Sequence, residues 1–167
     1  AVAANKGVYM LICGTGKSAE KCKELVNELG CGDRIIFAGY RYDAKELLHG
    51  ADAFIFPSRR EGLGLAAIEA MATGLPLIVS DNRGTREYAV NGENAIVCEY
   101  NNISQFINAV QLLSSDRELC KKLGHNGYHT AERYGLDNSI AEMAAIYRGY
   151  LQIPSENKTG VLSGENK

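Results

Sequence analysis

Glu61 and Glu69 stand eight positions apart, and the run between them, Gly62-Leu63-Gly64-Leu65-Ala66-Ala67-Ile68, opens on glycine and turns almost wholly apolar. A helix interior of Leu65, Ala66, Ala67, Ile68, Ala70, Met71 and Ala72 is apolar all round and is expected to be buried, which makes Glu69 a carboxylate inside a core. A buried charge is costly unless something binds it. Gly62 and Gly64 leave the first N–H groups of the helix uncovered, and with the helix dipole those groups form an anion site. A phosphate at the helix mouth and a hydroxyl-rich group at Glu69 together describe a nucleotide sugar.

A second glycine-rich stretch, Cys13-Gly14-Thr15-Gly16-Lys17-Ser18-Ala19, lies between a strand-like and a helix-like segment. A phosphate-binding loop ending in Gly16-Lys17-Ser18 needs a glycine at position 11, where the chain has Leu11, so that reading fails. Gly14, Gly16 and Ala19 do satisfy a dinucleotide fingerprint, but the acid expected about 20 residues on is missing. The chain has Ala38-Gly39-Tyr40 there. Gly14 and Gly16 therefore either make the turn or let backbone approach a ligand. Gly39 and Tyr40 fall where strand ends line the crevice of an open α/β sheet, so Tyr40 is either a stacking surface or an ordinary exposed tyrosine. Arg59 and Arg60 adjoin the anion site and either assist it or remain solvated. His125 and His129, four apart, share a helix face, but the sequence points to no further ligands and offers no acidic D-x-D cluster to hold a metal beside phosphates.

The elements that must position these residues follow from short, continuous apolar runs: Val8–Cys13, Ile35–Ala38, Ala53–Phe56, Leu77–Val79 and Ala95–Cys98. Runs of this kind read as parallel strands. Helices are expected over Ser18–Leu29, Ala44–His49, Leu63–Thr73, Thr85–Ala89 and Ile103–Leu113, between turn signals such as Gly30-Cys31-Gly32-Asp33 and Asn91-Gly92. This alternation predicts a doubly wound, Rossmann-like α/β sheet. Two further helices, Asp116–Arg133, with a break near Gly124 to Gly127, and Leu136–Leu151, are expected to pack on the sheet. A polar tail over 152–167 is expected to be flexible.

Pro57-Ser58-Arg59-Arg60-Glu61-Gly62-Leu63-Gly64-Leu65 and Glu69-Ala70-Met71-Ala72-Thr73-Gly74-Leu75-Pro76 together resemble the signature of the glycogen-synthase-like retaining glycosyltransferases, family 4 or group 1, of GT-B fold. The likeness continues through Ser80-Asp81-Asn82-Arg83-Gly84-Thr85-Arg86-Glu87 and Asn91-Gly92-Glu93-Asn94-Ala95, and covers Val8 to Leu151. It implies the C-terminal, nucleotide-sugar-binding half of such an enzyme, residues 1–151. The donor site would comprise Gly14, Gly16, Gly39, Tyr40, Ser58, Glu61, Gly62, Leu63, Gly64, Leu65 and Glu69. Within it Glu61 would hold the donor sugar as the catalytic residue, Glu69 the ribose hydroxyls, and the Gly39–Tyr40 segment the nucleobase. Of Asp81, Gly84, Thr85 and Glu87, Gly84 is expected to admit a ligand.

The chain departs from that family's pattern at its front. Only Ala1–Gly7 precedes the first strand, so the family's first strand and helix, its diphosphate-binding Arg and Lys, and its acceptor-binding N-terminal domain have no counterpart here. The expectation is a partial domain with a gap between Val8–Cys13 and Ala53–Phe56, inactive alone. A net charge of −2 and pI near 6.0 give no basic field for nucleic acid. Five cysteines, odd in number and without C-x-x-C spacing, indicate neither a disulfide framework nor zinc and fit a reducing cytoplasm. The resulting expectation is hexose transfer from a nucleoside diphosphate sugar to an acceptor hydroxyl, in polysaccharide or glycolipid assembly. It requires no metal or cofactor, and peripheral membrane association of a parent enzyme stays open. The alternatives are an enzyme like the UDP-GlcNAc 2-epimerases and a nucleotide-sugar-binding module without catalysis.

Overall fold

A computed structural model describes residues 1–151; the expected tail at 152–167 lies outside the described residues. Five strands alternate with helices: β1 (Met10–Cys13), α1 (Ala19–Glu28), β2 (Ile35–Gly39), α2 (Ala44–His49), β3 (Phe54–Phe56), α3 (Leu65–Ala72), β4 (Leu77–Ser80), β5 (Ile96–Cys98), α4 (Ile103–Ser115), α5 (Arg117–Glu132) and α6 (Leu136–Leu151). They form two compact units, Ala1–Glu132 and a second that begins at Arg133 and carries α6. Each strand run is continuous and apolar because β–helix–β crossovers put helices against the sheet, and every strand pair is parallel.

The strands form two sheets, β1-β2 and β3-β4-β5. Among the described residues β1 does not pair with β3, and Ala1–Gly7 supplies turns rather than a strand between them. Those first residues instead tie the start of β2 to α4. Arg34 donates to the carbonyls of Val2 and Asn5 at 2.6 and 2.7 Å, and the Asn5 amide donates to Ser114 Oγ at 3.1 Å. β4 is the centre of the larger sheet, in register Ile55↔Ile78 with β3 and Ile78↔Ile96 with β5, and all four of its residues are buried. Ile78, Cys98, Ala109, Val110, Leu113 and Leu123 form the core between that sheet and the helices α4 and α5.

Two expectations about helices are corrected. The segment after β4 closes as a single 3-10 turn over Thr85–Glu87 rather than a helix to Ala89. Its backbone is committed to the loop beside it, as described below. α5 runs unbroken through Gly124 and Gly127, both buried. These glycines allow close approach. A Cβ on Gly124 would run into the carbonyl oxygen of Gly74 in the α3–β4 turn, and one on Gly127 would lie 3.5 Å from Met71 Cγ of α3. Helical backbone seated directly on a turn outweighs the propensity lost with each glycine, about 1 kcal/mol relative to alanine.

Gly124→Ala must therefore displace backbone, and is expected to cost roughly 1–3 kcal/mol in denaturant unfolding. Gly149→Ala, in α6 with open space around it, is expected to gain up to about 1 kcal/mol. Equal effects at the two positions would contradict the packing described for α5.

Candidate functional site

α3 begins where the chain leaves β3, and glycine sets the geometry. Gly64 caps the helix in the left-handed region, φ +85°, and no side chain caps it. A Cβ there would lie 2.9 Å from Phe56 Cε1 and 3.1 Å from the Tyr88 hydroxyl. Gly64 is thus glycine both because its backbone is left-handed and because the core lies directly beneath it. Gly62 is exposed with open space around it, and is the glycine that leaves the helix mouth uncovered. Leu63 is half-buried between them.

Glu61 is half-buried, and Ser58 Oγ donates to its Oε1 at 2.7 Å. The turn after β4 supports this loop from below. Gly84 is buried, and a Cβ on it would lie 2.8 Å from the carbonyl oxygen of Glu61 and 3.0 Å from that of Gly62. That space is filled by protein backbone, so Gly84 does not admit a ligand. Arg86 forks onto Asp81 with bonds of 2.6 and 2.9 Å, and this guanidinium holds the Asp81 carboxyl below its usual pKa. On the other flank the Arg59 guanidinium lies 5.8 Å over the Tyr100 ring, just past β5, while Arg60 is exposed.

Glu69 is exposed, which corrects its expected burial. α3 is two-faced. Ala67, Ile68, Ala70 and Met71 face inward, and Leu65, Ala66, Glu69 and Ala72 form an outward stripe. Among the described residues the Glu69 carboxylate makes no hydrogen bond. A helix apolar all round yet exposed on one side presents a surface suited to a ligand, with a carboxylate one turn beyond Leu65.

The remaining candidates stand on the smaller sheet. Gly14, φ +118°, and Gly39, φ +63°, end β1 and β2, and the Gly14 N–H is spent on the Gly39 carbonyl at 2.6 Å. Gly14 therefore makes the turn. The Gly16 carbonyl accepts from Ala19 N at 3.1 Å and starts α1. Tyr40 is exposed, its ring edge-on to Tyr42 at 4.9 Å. Hence Ser58, Glu61, Gly62 and Gly64 are gathered at one end of β3-β4-β5, and Gly14, Gly39 and Tyr40 at one end of β1-β2. His125 and His129 do share a face of α5, rings 4.6 Å apart, and among the described residues no three His, Cys, Asp or Glu side chains converge as a metal site. No described helix is long and apolar enough to cross a membrane.

The sequence profile described as Glycosyl transferases group 1 matches residues 2–130. The chain belongs to this family. It is 34% identical over 150 residues to EpsD of Bacillus subtilis, a protein assigned as a glycosyltransferase, covering 90% of this chain and 39% of EpsD. It is 32% identical to the UDP-Gal:alpha-D-GlcNAc-diphosphoundecaprenol alpha-1,3-galactosyltransferase of Escherichia coli, covering 74% of this chain and 34% of that enzyme. Its fold superposes on HepE of Anabaena in complex with UDP-glucose with a TM-score of 0.80, at 22% identity, covering 87% of this chain and 43% of HepE. The glycosyl transferase chain is thus a Rossmann-like half of the GT-B fold, and spans well under half the length of these relatives.

Asn82 and Thr85, buried beneath the Ser58–Gly62 loop, carried no assigned role in the sequence reading. The signal was an Asn two residues before a glycine just past a strand, a pattern of side-chain-closed turns.

Gly64→Ala is expected to cost more than about 1 kcal/mol through backbone strain and contact with Phe56, while Gly62→Ala stays within about 0.5 kcal/mol. Thermal unfolding of both variants measures the difference. Asp81 has its pKa depressed by Arg86, so its contribution is present above the usual value of 3.8 and is lost as pH falls through the folded-state value below it. Asp81→Asn is expected to be less stable than wild type at neutral pH, with the gap closing below about pH 3.8.

Proposed function

We propose that this chain is the donor-binding, C-terminal half of a family 4, retaining glycosyltransferase that moves a hexose from a nucleoside diphosphate sugar to an acceptor hydroxyl. The observation that carries the reading is the two-carboxylate entry to α3: Glu61 held by Ser58 beside an uncovered helix mouth, and Glu69 free on the outward stripe of the same helix. A diphosphate at the mouth takes N–H donors and the positive end of the helix dipole. Glu69 then meets the ribose hydroxyls and Glu61 the sugar, while Tyr40 is offered to the nucleobase. Support for a uridine nucleotide comes from the galactosyltransferase relative named for UDP-Gal and from the fold shared with HepE, which binds UDP-glucose.

Catalysis in this reading is electrostatic. Charge grows on the leaving diphosphate as the glycosidic bond breaks, and donors fixed at the start of α3 stabilise that charge more than they stabilise the bound substrate. No resident metal or cofactor is called for. In this reading the acceptor is held by a separate acceptor-binding domain, and the Arg and Lys that neutralise the diphosphate belong to the strand-and-helix segment with which the family opens this half, so transfer by the 167 residues alone is not expected. The proposed setting is polysaccharide or glycolipid assembly in the cytoplasm, with the parent enzyme at a membrane surface where its acceptor is lipid-linked.

Titration with UDP and UDP-glucose tests the division of roles. Glu69→Ala is expected to weaken both ligands about ten- to hundredfold, the loss of charge-assisted hydrogen bonds to the ribose. Gly62→Val, which meets no protein atom within 4 Å of its Cβ, should also weaken both while leaving the fold intact. Glu61→Ala should weaken UDP-glucose alone. Unchanged affinity in a folded Glu69→Ala variant would remove that residue from the site.

A further inference from the structure

Asn82 lies just past β4 and is buried, so each polar atom of its amide requires a partner. Each has one. Oδ1 accepts the N–H groups of Gly84 and Thr85 at 3.0 and 3.1 Å, closing the turn on its own side. Nδ2 reaches across to donate to the Ser58 carbonyl at 3.1 Å. Two N–H groups on one end of the amide and a carbonyl on the other allow only one orientation of the side chain. The turn is itself anchored, because the Thr85 hydroxyl donates to the Ser80 carbonyl at the end of β4 at 2.7 Å and accepts from Asn82 N at 3.1 Å. β4 is the most buried strand, so the far end of this relay is fixed.

The near end is Glu61. Asn82 fixes the Ser58 carbonyl, and Ser58 Oγ donates to Glu61 Oε1 at 2.7 Å. Gly84, the residue whose N–H Asn82 holds, lies against the backbone of Glu61 and Gly62. We propose that Asn82 is a positioning residue for the Glu61 carboxylate, acting through Ser58, and so sets the preference of the site for a nucleotide carrying a sugar over the bare nucleoside diphosphate. The proposal rests on the nucleotide-sugar reading above. An aspartate at this position keeps the acceptor for Gly84 and Thr85 but turns a repelling oxygen on the Ser58 carbonyl. An alanine loses both ends. Asparagine alone among side chains of this length offers an acceptor to the turn and a donor to the loop.

The test is calorimetric titration of the chain with UDP and with UDP-glucose, in wild type, Asn82→Asp, Ser58→Ala, Glu61→Gln and Asn82→Asp with Glu61→Gln, each shown to be folded by circular dichroism. Asn82→Asp and Ser58→Ala are expected to lower UDP-glucose affinity about tenfold, the size of one hydrogen bond to a charged group, with UDP affinity unchanged. On the Glu61→Gln background Asn82→Asp should cost nothing further, because the two act as one unit. Equal loss for both ligands, an additive double variant, or an unaltered preference in folded Asn82→Asp would overturn the proposal. Where Asn82→Asp does not fold, Ser58→Ala makes the same comparison. Should wild type bind neither ligand, the uridine form of the donor reading fails, and the relay is read from backbone-amide NMR instead. Displaced resonances from Ser58 to Gly64 in Asn82→Asp would then uphold it, and an unmoved set would refute it.

Discussion

The structure depends on three glycines, at each of which the backbone packs so closely that a Cβ has no room. Gly84 lies against the carbonyls of Glu61 and Gly62, Gly64 lies over Phe56 and Tyr88, and Gly124 of α5 sits on the carbonyl of Gly74 where α3 turns into β4. Two of the contacts set backbone on backbone, the third sets backbone on a ring and a hydroxyl, and together they fix α3 at its start and its end. A helix of eight residues has little stability of its own, so its position is set by these tertiary contacts rather than by propensity. What α3 presents outward, Leu65, Ala66 and Glu69, is therefore presented rigidly.

The division between scaffold and site runs along the same helix. Its inward residues are small, Ala67 and Ala70 beside Met71, which lets α5 approach closely and bury Leu123 against Ile78 and Cys98. Burial also pushes the Cys98 thiol up, away from the reactive thiolate. A carboxylate in that inward face would be prohibitive. Placed outward it costs nothing in the folded chain and stays available, which is the condition a binding carboxylate must meet.

Much of this was legible in the sequence because each strand is a short continuous apolar run and each helix is bracketed by turn residues. The strand cores, α2 and α6 fall where Ile35–Ala38, Ala53–Phe56, Ala44–His49 and Leu136–Leu151 put them. The placing of Glu61 beside an open helix start was legible too, since Gly62 leaves that start uncovered, whereas Gly64 answers to the core beneath it. The burial of Glu69 was misjudged for a physical reason: hydrophobicity on every side of a helix signals burial only if every side meets protein, and one side of α3 does not. The glycines of α5 and Gly84 were read as a break and an opening. At Gly124 and at Gly84 the space of the missing Cβ is filled by a carbonyl from a segment distant in sequence, which no local pattern encodes. Asn82 escaped notice because its worth lies in Ser58, 24 positions earlier.

The two sheets differ in how firmly they are held. β4 is wholly enclosed, whereas α1 buries no residue and β1-β2 is only two strands wide. Local opening samples the less enclosed parts of a protein first, so amide protons in β1, α1 and β2 should exchange through fluctuations that leave β3-β4-β5 closed. The Tyr40 end of the proposed site consequently stands on the softer ground and the Glu61 end on the harder. A ligand spanning both would have to order one end while finding the other already set, and the entropy lost in that ordering would weigh on recognition at Tyr40 and spare recognition at Glu61.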